Sequence, residues 1–359
     1  MTSEQFFQRT YPTVQLQELI RAVFGAIAGR PTASRGRIVC LQAPPGAGKT
    51  HALRALALLT RRPQLECTRE FVTADLLPDG PVRVAVIDGA KSDARHGIRL
   101  EGDLRAYTPW GELGHQLGGK AGIASVEHWD QQRTAPPPAF LRDLIESGPA
   151  LIVVDRTAAL WRRFSEVVPG GDSQISSFIS GLARSVASSP RAVLVYTLAT
   201  RHDPARDPYH SEHSRVIELL RDCEPRCFPT GVAPEGKSEV AAAVRRFLFK
   251  RTLLEPETYP VEAGAFDHLV SIVRALGCTH VFGGTLAVLG RTVHALWKNG
   301  PSGISSIRSE HLDLRPLAER LAYDRWEMNG RQPGSAQSDI EYAKRVLQSV
   351  TPLAGRIVI

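Results

Sequence analysis

The sequence predicts an α/β fold: a parallel sheet with helices on both faces, followed by a small all-helical domain. Three observations carry this. Continuous Val/Ile/Leu-rich runs occur at residues 37–42, 82–88, 150–155 and 192–198, with a weaker one at 227–231. Unbroken apolar runs of this length suit strands buried on both faces. Helical periodicity lies between them at 108–117, 139–147, 175–188 and 214–223. Strands alternating with helices are the pattern of a doubly covered parallel sheet. From about Lys237 the pattern is helical only, at 240–249, 263–276, 284–297, 314–323 and 339–347. The boundary falls at Pro234-Glu-Gly-Lys, which divides the chain into residues 1–235 and 236–359.

The first strand, Arg37-Ile-Val-Cys-Leu-Gln42, runs into Ala43-Pro44-Pro45-Gly46-Ala47-Gly48-Lys49-Thr50, and a helix begins at Thr50-His51. Strand, glycine loop and helix in this order form a phosphate-binding loop. Gly46 and Gly48 let the backbone turn its N–H groups toward phosphate oxygens. Lys49 supplies a point charge for the β- and γ-phosphates, and the Thr50 hydroxyl can ligate Mg2+. Ala43 stands where the first glycine of the motif is usual. Residues 43–51 are therefore the expected nucleotide-binding segment, with ATP and Mg2+ as ligands. A phosphate loop before a parallel sheet and a helical domain indicates a P-loop NTPase with the layout of an AAA+ module.

An ATPase of this kind holds its metal with a carboxylate at the end of a neighbouring strand. Leu151-Ile-Val-Val-Asp155 places Asp155 there, and with Thr50 it forms the expected metal pair. The next residue should be an acid that orients and deprotonates the attacking water. It is Arg156, which cannot act as a base. Either hydrolysis is lost or slow, or another acid serves; Asp88, ending the adjacent strand, is the substitute, with a plain turn aspartate as the alternative. Thr197 and Thr200, at the end of the fourth strand, stand where a polar residue senses a γ-phosphate, or are strand threonines facing the core. Arg221 and Arg226 flank the turn before the fifth strand and are candidates for contacting a neighbouring subunit's ATP.

Composition bounds the rest. The 359 residues carry 43% hydrophobic and 23% charged side chains, enough for two globular domains. No apolar run is long enough to span a bilayer and no signal-peptide pattern opens the chain, so a cytoplasmic, non-membrane protein is expected. The net charge of +7 permits DNA contact, but the basic residues are spread along the chain rather than gathered into a stripe. Five scattered cysteines (Cys40, Cys67, Cys223, Cys227, Cys278) fit no zinc spacing and read as buried reduced thiols. His202, Asp203, Asp207, His210 and His213 crowd one segment, which reads as a polar surface loop rather than a metal site.

Several segments together resemble one family: prokaryotic AAA+-type ATP-binding proteins of unknown function, often encoded beside DNA methyltransferases and helicases. The matching stretches are Phe6-Phe7-Gln-Arg-Thr-Tyr11 with Thr13, Gly48-Lys-Thr-His51, Thr108-Pro-Trp-Gly-Glu-Leu113 with Gln116-Leu-Gly-Gly119, and Arg245-Arg-Phe-Leu-Phe249. The resemblance runs to about Trp297 and implies a nucleotide-dependent role in DNA modification or anti-phage defence. It also implies self-association, or docking to a partner ATPase, methyltransferase or helicase subunit. Two departures stand out: the family's Asp-Glu is Asp155-Arg156 here, and Leu286, within Phe282-Gly-Gly-Thr-Leu-Ala287, replaces a γ-phosphate-sensing arginine. Family members are usually longer, which makes this chain a short version or a fragment. The expectation is an ATP-binding switch or scaffold with weak or absent hydrolysis. The alternatives are an active motor or loader acting on DNA, and a DNA-binding structural subunit with a vestigial loop.

Overall fold

In a computed structural model, which describes residues 2–8, 10–29, 37–43, 47–61, 66–199, 207, 209–228, 236–244, 269–271, 314–328 and 334–350, the apolar runs become strands. They are β1 (Ile38–Gln42), β2 (Arg83–Asp88), β5 (Ala150–Asp155), β6 (Ala192–Leu198) and β7 (Arg226–Phe228). Their order is β2-β5-β6-β1-β7 and every pairing is parallel. The chain leaves β1 for the far edge at β2, works back through β5 and β6, then passes over β1 to β7. With a phosphate loop after β1, this is the α/β fold of a P-loop NTPase, as the sequence predicts.

Helices α3 (Lys49–Arg61), α4 (Pro109–Gln132), α5 (Pro138–Glu146), α6 (Thr157–Val167), α7 (Gly171–Ser188) and α8 (His210–Leu220) join the strands. Alternation along each strand sends Ile38, Cys40, Ile152, Val154, Leu194 and Tyr196 into one apolar core with side chains of α4 to α8. Residues of opposite parity, such as Val39, Leu41, Leu151, Val153 and Val195, are buried too. Helix α3 packs on β2, β5 and β6 but contributes nothing to that core, so it covers the other face. Burial on both faces explains the unbroken apolar runs. Arg83, opening β2, donates to the carbonyls of Leu144, Ile145 and Gly148 at 2.7–2.8 Å and so satisfies the C-terminal end of α5.

Several elements exceed the sequence reading. Helix α6 lies where no helix is predicted, although Ala158, Leu160, Trp161 and Phe164 are buried at helical spacing. A short antiparallel pair, β3 (Ile98–Arg99) and β4 (Arg105–Ala106), is too brief to show periodicity. The segment read as a helix ending at 117 runs to Gln132 as α4, broken at Gly119, whose φ of 60° and ψ of −144° are not helical. The predicted helix at 214–223 is α8 followed by a 3-10 turn at Arg221–Cys223.

The chain divides into two compact units, Leu16–Ala43 with Lys49–Gly231, and Met1–Gln15 with Pro44–Gly48 and Val232–Ile359. The first holds the sheet. In the second, the elements among the described residues are helices: α1 (Ser3–Gln8), α9 (Gly236–Val244), Arg315–Met328 and Ala336–Val350. Glu239 accepts from the Val14 amide at 2.8 Å, and Arg325 pairs with Asp339 at 3.2 Å. The helix expected at 284–297 and the segments Arg245–Phe249 and Phe282–Ala287, Leu286 included, lie outside the described residues.

Candidate nucleotide-binding site

The functional side chains gather at the carboxyl ends of β1, β5, β6 and β2, where ligands bind in such sheets. Ala43 follows β1, its amide donating to the Leu198 carbonyl at 3.2 Å. Lys49 opens α3, is buried, and donates from Nζ to the Ala43 carbonyl at 2.6 Å. Burial lowers the Lys49 pKa to about 8, with the nearby Asp155 carboxylate opposing the shift. Gly48 has φ of 79°, in the left-handed region a side chain disfavours. Pro44, Pro45 and Gly46 lie outside the described residues. His51 is exposed in the first turn of α3.

Asp155 is the knot of the site. The Thr50 hydroxyl donates to its Oδ2 at 2.7 Å, and the Thr197 hydroxyl to its Oδ1 at 2.8 Å. The Arg156 amide donates to the same Oδ1 at 3.0 Å and to Thr197 Oγ1 at 2.7 Å. Thr197 thus positions Asp155 and the turn after it; Thr200 lies outside the described residues. Thr50 and Asp155 together present hard oxygen donors, which fits Mg2+, an ion that keeps most of its shell as water and phosphate. No cluster of three or more His, Cys, Asp or Glu suited to a metal occurs among the described residues. Bound there, Mg2+ would neutralise charge on the phosphates.

Asp88 pairs in register with Asp155 across β2 and β5. The Arg156 guanidinium lies on Asp88, Nη1 to Oδ1 at 3.2 Å, and Lys91 Nζ approaches Oδ2 at 3.8 Å. Arg156 has φ of 55° and ψ of 50°, a left-handed conformation costing about 1 kcal/mol or more for a residue with a side chain. The twist turns its amide to Asp155 and Thr197, while its carbonyl accepts from Leu160 to start α6. Gly89 is required beside it, since a Cβ there would lie 2.5 Å from the Arg156 carbonyl oxygen and 2.7 Å from Leu160 Cβ. An arginine ion-paired to Asp88 therefore stands directly after Asp155, where the sequence leads one to expect a general base.

Other expected residues lie apart. Arg221, in the turn after α8, and Arg226, opening β7, are both exposed. Arg226 stands level with Val39, well back from the carboxyl ends, its guanidinium 5.2 Å from the Phe228 ring centre. Of the segment read as a polar surface loop, Asp207 and His213 form a buried pair at 2.8 Å, which corrects that reading for these two residues. His210 opens α8, and His202 and Asp203 lie outside the described residues. The cysteines also differ from expectation: Cys40 is buried, with its thiol pushed up to about 12 chiefly by desolvation, but Cys67 and Cys223 are half-buried and Cys227 is exposed. Cys223 and Cys227 sit on a turn and a strand rather than one helical face; Cys278 lies outside the described residues.

Sequence reasoning missed two polar side chains here. Gln116 donates to the Val86 carbonyl at 2.9 Å and accepts from its amide at 2.8 Å, covering the free edge of β2 as a further strand would. Glu112, one turn earlier, is buried near Asp88 with its pKa raised to about 8, chiefly by desolvation and then by the charges of Asp88 and Asp130. The signal was the Trp-Gly-Glu-Leu motif, which matched a family pattern but had no assigned chemistry.

Three comparisons with known proteins bear on the chain. The family model described as the DUF499 N-terminal domain matches residues 1–224. No curated protein sequence matches. Among solved structures, a Walker-type ATPase of Pyrococcus abyssi aligns with a TM-score of 0.47 at 15% identity, covering 88% of this chain and 75% of that one. No helix among the described residues is long and apolar enough to cross a membrane.

Proposed function

The chain belongs to the DUF499 N-terminal domain family, and from that premise we propose that it binds ATP with Mg2+, turns it over slowly, and serves as a nucleotide-dependent regulatory or scaffolding subunit. Ala43, Lys49 and Thr50 with the loop between them hold the phosphates, and Thr50 with Asp155 holds the metal. One observation carries the slow turnover: the Arg156 guanidinium on Asp88 at 3.2 Å. A cation stands where an ATPase places its base, and it neutralises the neighbouring acid. The same cation beside bound phosphates favours retaining ATP over expelling it. Arg156→Glu restores an acid at that position and is expected to raise turnover by about a hundredfold, the low end of the usual contribution of a general base. Equal rates in a colorimetric phosphate-release assay would oppose this reading.

The assembly we have in mind is one that modifies DNA or resists phage, as the family resemblance implies. Arg221 and Arg226 are exposed, as residues reaching a neighbour's nucleotide must be. Self-association or docking onto a partner ATPase, methyltransferase or helicase subunit should then be favoured by ATP over ADP. Sedimentation of the chain with each nucleotide, alone and with proteins encoded beside it, is the test. A monomer indifferent to nucleotide and partners would remove the scaffold role.

A further inference from the structure

The segment Thr108-Pro-Trp-Gly-Glu-Leu113 with Gln116-Leu-Gly-Gly119 is unexplained by phosphate binding, yet its backbone and most of its side chains have evident structural tasks. Thr108 Oγ1 caps α4 by accepting from the Gly111 amide at 3.0 Å. Asp130, on the returning half of α4, accepts from the Tyr107 and Thr108 amides at 2.9–3.1 Å and from the Thr108 hydroxyl at 2.5 Å. A Cβ on Gly111 would collide with that carboxylate. Trp110 packs against Phe164 and Phe178 with ring centres 5.3 and 5.4 Å away. Gly119 reverses the helix, and Gly114 and Gly122 let the two halves touch.

Its one carboxylate is different. Glu112 is only 7% exposed, with the charges of Asp88 and Asp130 nearby. Placing a carboxylate where it is largely desolvated and beside two other acids is costly, and such a group calls for a functional account. Its placement is fixed by Gln116, which grips the Val86 backbone on both sides. Four helix residues rise about 6 Å and two strand residues about 6.7 Å. The turn from Gln116 back to Glu112 therefore matches the step from Val86 to Asp88, and the Asp88 charge is felt at Glu112. Asp88 is itself the register partner of Asp155. The motif carries an acid to the end of the sheet where the phosphates and metal are expected, from the β2 edge rather than from the end of β5.

We propose that Glu112 is the carboxylate that accepts a proton from the water attacking the γ-phosphate, in place of the acid that Arg156 displaces. This rests on the ATP-binding reading above. The water oxygen bonds to the γ-phosphorus and the bond from that phosphorus to the β,γ-bridging oxygen breaks. ADP leaves with the electron pair, and the water proton passes to Glu112 and then to solvent. Asp88 from β2 and Asp130 from α4 both press Glu112 toward its protonated form, while Arg156 and Lys91 partly neutralise Asp88. With its pKa at about 8, Glu112 is ionised in only about a tenth of molecules at neutral pH, which itself makes turnover slow.

The test measures ATP affinity and turnover of the full chain across the range around the Glu112 pKa of about 8, for wild type, Glu112→Gln and Glu112→Asp. Wild-type kcat should rise about tenfold per pH unit below that value and level above it. Glu112→Gln should lose about a hundredfold in kcat and the pH dependence, with ATP affinity unchanged; Glu112→Asp should fall between. A second readout does not involve turnover. The folded pKa of about 8 lies above the ordinary 4.5, so between these values the native state holds more protons and stability falls as pH rises. The Tm of Glu112→Gln should accordingly gain on wild type across that window. Wild-type kcat in Glu112→Gln, a flat wild-type pH profile, or ATP binding without any turnover would each overturn the proposal. Failure of wild type to bind ATP would overturn the underlying reading instead, and affinity measured on the same samples tells the two apart.

Discussion

Lys49→Ala removes ATP binding. Lys49 is buried at the start of α3 with its Nζ on the Ala43 carbonyl, so it already reaches back to the residue that follows β1. A charge-assisted bond to phosphate contributes about 3 kcal/mol at the upper end of its usual range, above a hundredfold in Kd. Alanine leaves no side-chain cation in that loop. Calorimetry with Mg2+ and ATP should therefore detect no binding to the variant, while its Tm stays near that of wild type. An unchanged Kd would mean that the phosphates are held elsewhere. Asp155 would then be a structural residue tying strand ends together.

Gly122→Ala is expected to produce the largest loss of stability. The two halves of α4 cross where Gly114 meets Gly122, and a Cβ added at 122 would fall inside the Gly114 carbonyl oxygen. The obstruction is backbone, which cannot rotate away as a long side chain can. Overpacking against such a contact costs about 3 kcal/mol, or roughly 6–12 °C in Tm for a domain of this size. Separating the halves would also draw Asp130 from the Thr108 cap and slide Gln116 along β2. Turnover should therefore fall with stability in this variant. A Tm within about 1 °C of wild type would show that the hairpin has slack.

The strands were legible because burial on both faces leaves unbroken apolar runs, a signal needing no knowledge of neighbours. The closeness of Thr50 and Asp155 was legible for a related reason: their residue types and spacing follow from the chemistry of phosphate and Mg2+, and the structure brings Thr50 within 2.7 Å of Asp155. Asp88 was read as standing beside Asp155, and the β2–β5 register pairs them. What sequence could not give was the partner of Arg156, because the ion pair with Asp88 joins residues 68 positions apart. Glu112 was hidden for the same reason. Its position depends on Gln116 gripping a strand edge 30 residues away in sequence, and on glycines whose purpose is a close helix crossing. The level of Arg226 with Val39, far from the carboxyl ends, likewise follows from register rather than from local pattern.

The site we propose holds ATP and hydrolyses it slowly. It is tested most directly by measuring Kd for ATP with Mg2+ and the steady-state turnover on one preparation of the chain at neutral pH. Measurable ATP binding is expected, with turnover well below the range of roughly 1–100 per second found for kinases. Turnover within that range, lost on Asp88→Asn and untouched by Glu112→Gln, would contradict it and point to an active ATPase using Asp88 as its base.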